Sequence, residues 1–101
     1  MSTHVVIATF NFNSVENKNE FLDILRGENG LVKTRACTGC IQIECTESNT
    51  HDRQVVILQK WNKQEDHEAY LEMRKESGMF DVLEKLLSEP LNVQRFTLLN
   101  F

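Results

Sequence analysis

Along the chain the spacing of apolar residues switches between a period of two and a period of about 3.6, and the switches delimit the elements. His4 to Phe12 is β-branched and aromatic, with Val5, Ile7 and Thr9 on one face of an extended strand and Val6, Ala8, Phe10 and Phe12 on the other. Ser14 stands where a helix cap is needed. At about 100° per residue, Val15, Phe21, Leu22, Ile24 and Leu25 then fall within one half of the circumference. Gly27 and Asn29-Gly30 are stop signals, yet Val32 and Ala36 continue the Leu25 face, which predicts a kinked or interrupted helix over 15–35. Gly39 to Glu47 reads as the second strand, and the polar run Ser48 to Asp52 joins it to the third, Gln54 to Trp61, as an antiparallel hairpin. In that third strand Val55, Ile57 and Trp61 share one face, and Val56 and Leu58 the other.

Residues 64–75 form the next helix, with Glu65, Glu68, Glu72 and Lys75 outward and the opposite face centred on Tyr70, flanked by His67, Leu71, Met73 and Arg74. Ser77-Gly78 breaks it. Met79, Val82, Leu83, Leu86 and Leu87 line one side of a further helix, opposite Asp81, Glu84 and Lys85, and Glu89-Pro90 ends it. Asn92 to Phe101 closes the chain as a strand alternating Val93, Thr97, Leu99 and Phe101 against Phe96 and Leu98. The order β-α-β-β-α(α)-β predicts an α+β fold with a ferredoxin-like antiparallel sheet. Helices cover only one face of such a sheet, whereas strands one, three and four are apolar on both, and so large an apolar face is rarely left in water. A homodimer paired face to face about a two-fold axis, with a barrel-like interface, is the simplest cover.

Composition narrows the classes. A chain of 101 residues allows one domain, 1–101, and excludes a multidomain enzyme. The near-apolar run Val5 to Phe10 is far short of the roughly 20 residues that a membrane helix needs, and Met1 to His4 carries no basic signal-like region. A cytoplasmic protein without a membrane partner is expected. Fifteen acidic against eleven basic residues give a net charge of −4, which removes the generic attraction to phosphate that nucleic-acid binders need. Cys37, Cys40 and Cys45 are an odd number, so reduced thiols are expected. Cys37 and Cys40 have C-x-x-C spacing, but no second pair completes a zinc site, and the run leads into a strand rather than a helix, so the expectation is no metal and no redox role.

Thr34-Arg35-Ala36, Gly39-Cys40-Ile41, the hairpin ending at Trp61, Ala69-Tyr70-Leu71 with Arg74, and Leu86-Leu87 to Pro90 together resemble the antibiotic-biosynthesis monooxygenase (ABM) superfamily along nearly the whole chain. That resemblance implies a dimeric α+β barrel. Family members include cofactor-independent oxygenases of polycyclic phenols or quinols, haem-degrading enzymes, aldehyde-processing relatives and proteins without an assigned activity. Many quinol oxygenases of the family carry a glutamate and a histidine where this chain has Gln59 and Tyr70. Haem-degrading members place a tryptophan and an axial histidine where this chain has Tyr70 and Phe80, so haem is not expected. No G-x-G-x-x-G or G-x-x-x-x-G-K stretch points to flavin, nicotinamide or nucleotide, and the expected cofactor set is none.

The resemblance puts the ligand pocket between the sheet and the 64–75 helix. Trp61 is placed to stack on a planar ligand or simply to fill the core. Tyr70 brings a phenol that needs a partner, either a ligand oxygen or the backbone. Arg74 is suited to stabilising a phenolate, or to a surface ion pair with Glu76 or Asp81. His67 is the one helix histidine and the natural general base. Asn11 and Asn13 end the first strand, where they could bond a ligand carbonyl, and Asn13 beside Ser14 also suits a turn. The expected function is a cofactor-free monooxygenase on an electron-rich aromatic molecule, with catalytic His67, Tyr70 and Arg74 and substrate-binding Trp61, Asn11 and Tyr70. The alternative is a non-catalytic dimer that binds a small molecule in the same pocket.

Overall fold

A computed structural model describes residues 2–101. The elements are β1 (His4–Asn11), α1 (Val15–Arg26), α2 (Leu31–Arg35), β2 (Cys40–Glu47), β3 (Gln54–Trp61), α3 (Gln64–Glu76), α4 (Met79–Leu86) and β4 (Asn92–Thr97). The strands form one antiparallel sheet in the order β2-β3-β1-β4, the ferredoxin-like arrangement that the element order predicts. No helix among the described residues is long and apolar enough to cross a membrane.

β1 and β3, the two central strands, set the register. Val6 lies opposite Gln59, Ala8 opposite Ile57 and Phe10 opposite Val55, and these rows are buried beneath the helices. The other face carries Val5, Ile7, Val56, Leu58 and Phe96, with no element of this chain covering it. Leu58 is 43% and Phe96 45% exposed. The two-sided apolar pattern therefore corresponds to a real open face.

The interrupted helix is present, with its break at Gly27–Gly30. Ser14 caps α1 by accepting from the Asn17 backbone N–H at 3.0 Å. A side chain at Gly30 would run into the Leu25 backbone, so only glycine permits the tight return into α2. Two expectations need correction. Val15 is exposed rather than core-facing, while Lys18 is buried, its ammonium 3.0 Å from Glu47 on β2. β4 ends at Thr97: Leu98 still donates its N–H to Thr3, but Leu99 and Phe101 are exposed and belong to no strand. Gly39 turns the chain into β2 with φ of +81°, a conformation that favours glycine, and the Cys40 N–H bonds the Cys37 carbonyl across this turn. Burial raises the pKa of the Cys40 and Cys45 thiols, and Cys37 adds to the effect at Cys40, which disfavours reactive thiolates.

Candidate functional site

A cavity of about 50 Å³ lies between the helix-covered sheet face, α3 and α4. Its wall is apolar, with Phe10, Ile57, Leu71, Phe80 and Leu83 among its residues, except where Gln59, His67, Tyr70 and Arg74 converge. β3 aims Gln59 inward because it shares the alternation of Val55, Ile57 and Trp61. α3 brings His67, Tyr70 and Arg74 to one side because they are three and four residues apart.

Arg74 is 4% exposed, and no carboxylate among the described residues lies within ion-pair distance of it. Its guanidinium instead donates to the Asn29 carbonyl at 2.6 Å, the Gly30 carbonyl and Thr34 Oγ1 at 2.9 Å each, and the Tyr70 hydroxyl at 3.0 Å. The anticipated ion pair with Glu76 or Asp81 is thus replaced by neutral acceptors on the loop that separates α1 from α2, on α2 and on α3. The Tyr70 hydroxyl, 3.1 Å from Thr34 Oγ1, finds its partners in side chains rather than in the backbone. A positive charge held only by neutral groups keeps its field, and the cavity wall is where that field acts.

His67 is 1% exposed, and its Nδ1 has no hydrogen-bond partner among the described residues. Burial, reinforced by Arg95 and His4 and opposed by Glu68, pushes its pKa down to about 4, so the ring is neutral at pH 7. Unfolded, the imidazole takes a proton near 6.5, and folded only near 4. Between these values the unfolded state binds the extra proton, and stability falls as pH falls through that window. A loss of roughly 2 to 3 kcal/mol between pH 7 and pH 4.5 is expected from this group. Urea unfolding at the two pH values checks it: His67→Leu should lack that share of the slope, and an equal slope in both proteins would assign the acid sensitivity elsewhere.

Trp61 is fully buried but does not line the cavity; it backs the wall, its ring 5.2 Å from Tyr70 and 5.6 Å from His67. Of the two roles the sequence leaves open, this packing fits core filling, with Trp61 holding these two rings. Its indole N–H donates to Gln59 Oε1 at 2.9 Å. Because that N–H is only a donor, the Gln59 oxygen must face it, and the Gln59 NH2 is turned elsewhere with no side-chain bond to the protein among the described residues. Gln59, noted in the sequence only as standing where many family oxygenases carry a glutamate, is a residue of the site itself, and a lone amide in a row of apolar residues is its signal. Asn11 lies outside the cavity, its Oδ1 accepting from Gln54 at 3.0 Å, and Asn13 donates to the Leu87 carbonyl at 3.1 Å. Neither asparagine contributes to the cavity wall.

The sequence matches no protein-family model and no curated protein. Solved structures do resemble it. A candidate antibiotic biosynthesis monooxygenase from Nitrosomonas europaea has a TM-score of 0.79 at 14% identity, over 96% of this chain and 90% of its own. A Streptomyces coelicolor monooxygenase from the gene ActVA-Orf6, in complex with nanaomycin D, has a TM-score of 0.78 at 16% identity, over 99% and 90%. A dimeric ferredoxin-like protein from an uncultured marine organism has a TM-score of 0.79 at 13% identity, over 100% and 91%. Identities this low bear on the fold alone, and the fold is the ABM-like, ferredoxin-like one.

Proposed function

We propose that this chain, built on the ABM-like fold, is a cofactor-independent monooxygenase of electron-rich phenol-type or quinol-type aromatics that works as a homodimer. The observation that carries the reading is an apolar cavity with a buried, carboxylate-free Arg74 at its polar end. The aromatic body suits the apolar wall, and the phenol oxygen suits the end where Gln59, His67, Tyr70 and Arg74 meet. Likeness in fold to a monooxygenase holding nanaomycin D supports the same choice. In the reaction, an ionised phenol supplies the electrons to O2. One oxygen atom enters the ring carbon that loses its C–H hydrogen, giving a quinone carbonyl. The other leaves as water, with that hydrogen and the phenol proton.

The protein's part is to accept the phenol proton, stabilise the anion and exclude water. Neutral His67 has a lone pair for the proton, and the phenolate formed beside it offsets what burial and Arg95 do against the imidazolium. The cavity of about 50 Å³ has room only for water-sized molecules, and apolar cavities that take benzene are on the order of 150 Å³. An aromatic ligand must therefore displace side chains, and Met79 is the most adaptable of those lining the wall.

One observation favours a second reading, a non-catalytic binder of small aromatic molecules: four of the five Arg74 N–H groups are already committed within the protein. Oxygen uptake with hydroquinones, anthrones and naphthols decides between the two. Uptake by the wild type, lowered about tenfold in Tyr70→Phe with substrate affinity changed less, is the expected result. Saturable binding without uptake across the panel selects the binder.

A further inference from the structure

Nδ1 of His67 and Nε2 of His4 are both buried without a hydrogen-bond partner among the described residues. Buried polar atoms are nearly always satisfied, so two such nitrogens in neighbouring rings need a reason. The rings stand 6.0 Å apart, and the sheet register brings a third group to the same end of the site. Arg95 on β4 lies opposite Val6, which is fully buried on the helix-covered face, so the Arg95 side chain rises from that face too. It is one inward-facing position beyond Val93, which lines the cavity, and one position short of Thr97, which lies opposite His4. Arg95 is exposed, and no carboxylate among the described residues is within ion-pair distance of it. Of the charged groups that act on His67, Arg95 from β4 and His4 from β1 have one sign of effect, and Glu68 on α3 the other.

The geometry points to an anion subsite at this end of the cavity, where Arg95, His4 and His67 take a carboxylate carried by the aromatic ligand. The inference rests on the reading above for the aromatic body of the ligand, and on these three residues for its anionic group. Arg95 offers a fixed positive charge and paired N–H donors that match the two oxygens of a carboxylate. A neutral imidazole can carry its proton on either nitrogen, so both unpartnered nitrogens can serve as donors. One permanent cation with two imidazole N–H donors suits a monoanion better than a phosphate dianion. The ligand class is therefore a hydroxyaromatic carboxylic acid rather than a neutral phenol.

Titration with benzoate and with its neutral counterpart benzamide, followed through the ring signals of His4 and His67 by NMR, tests the subsite without turnover. Benzoate should saturate, move both sets of ring signals, and bind about tenfold more tightly than benzamide, in line with a charge-assisted hydrogen bond. Arg95→Gln should reduce benzoate to the benzamide level; the substitution falls on an exposed position of an edge strand and leaves the core intact. Equal affinity for the two compounds, benzoate binding unchanged by Arg95→Gln, or no saturation by benzoate would each overturn the subsite. None of these readouts uses oxygen, so failure of every phenol in the uptake assay counts against the monooxygenase reading alone.

Discussion

Replacing Arg74 with methionine is expected to remove about 3 to 5 kcal/mol of folding stability, a large share of what a domain of this size holds. The methionine fills much of the volume, but the Asn29 carbonyl loses its donor, and the Gly30 carbonyl and Thr34 Oγ1, which keep other bonds, each lose a charge-assisted one. These groups lie in the Gly27–Gly30 break and on α2, so the loss loosens the segment between the first two helices and, through Tyr70, the cavity wall. Arg74→Lys should recover little of it, because one ammonium cannot reach four acceptors laid out for a planar fork. Urea unfolding of the three proteins measures the effect. A loss under 1 kcal/mol for Arg74→Met would show that the loop carbonyls find other donors. Activity lost in an Arg74 variant therefore says little about chemistry, which is why Tyr70→Phe is the sharper probe of the proposed reaction.

The open sheet face gives the second large effect. In the proposed homodimer, Val5, Ile7, Val56, Leu58 and Phe96 of each copy meet across a two-fold axis, burying more than about 1,000 Å² in total. Leu58→Asp places a charge on that face in both copies at once while leaving the core of each untouched, since Leu58 is exposed within one chain. Two unpaired charges forced into an apolar interface should weaken association by at least about a hundredfold. Sedimentation velocity at micromolar concentration should find the wild type as a dimer and Leu58→Asp as a folded monomer. A wild-type monomer would leave the apolar face without its proposed cover.

The parts legible in the sequence are those governed by local period. β1 and β3 are apolar on both faces, so their alternation sorts each strand into two rows without telling which lies under the helices, and Gly27 and Gly30 mark the helix break because the backbone there leaves no room for a side chain at Gly30. The placement of His67, Tyr70 and Arg74 on one side of α3 followed from the same arithmetic. Pairing across the chain is less legible. The alternation of Leu98 to Phe101 looks like strand, but β4 ends at Thr97 and the last residues have no ladder to join. Lys18 lies among apolar neighbours because its long stem carries the ammonium to Glu47, a partner 29 positions away. Helical spacing likewise showed which way Arg74 points, but not that its acceptors would be backbone carbonyls 44 and 45 positions earlier in the chain. Their positions at strand ends suit Trp61 and Asn11 to a ligand, and Trp61 equally to the core, but do not reveal the partners that the fold gives them, Gln59 and Gln54.

As proposed, the protein inserts one atom of O2 into a phenol held in the cavity, with electrons from the phenol itself. The direct measurement is mass spectrometry of the product formed under 18O2 by chelator-treated protein free of flavin and haem. The expected product is a quinone carrying a single 18O, with the second labelled atom recovered in water and product formation reduced in Tyr70→Phe. Product labelled only from solvent water, or the same yield without protein, would contradict it.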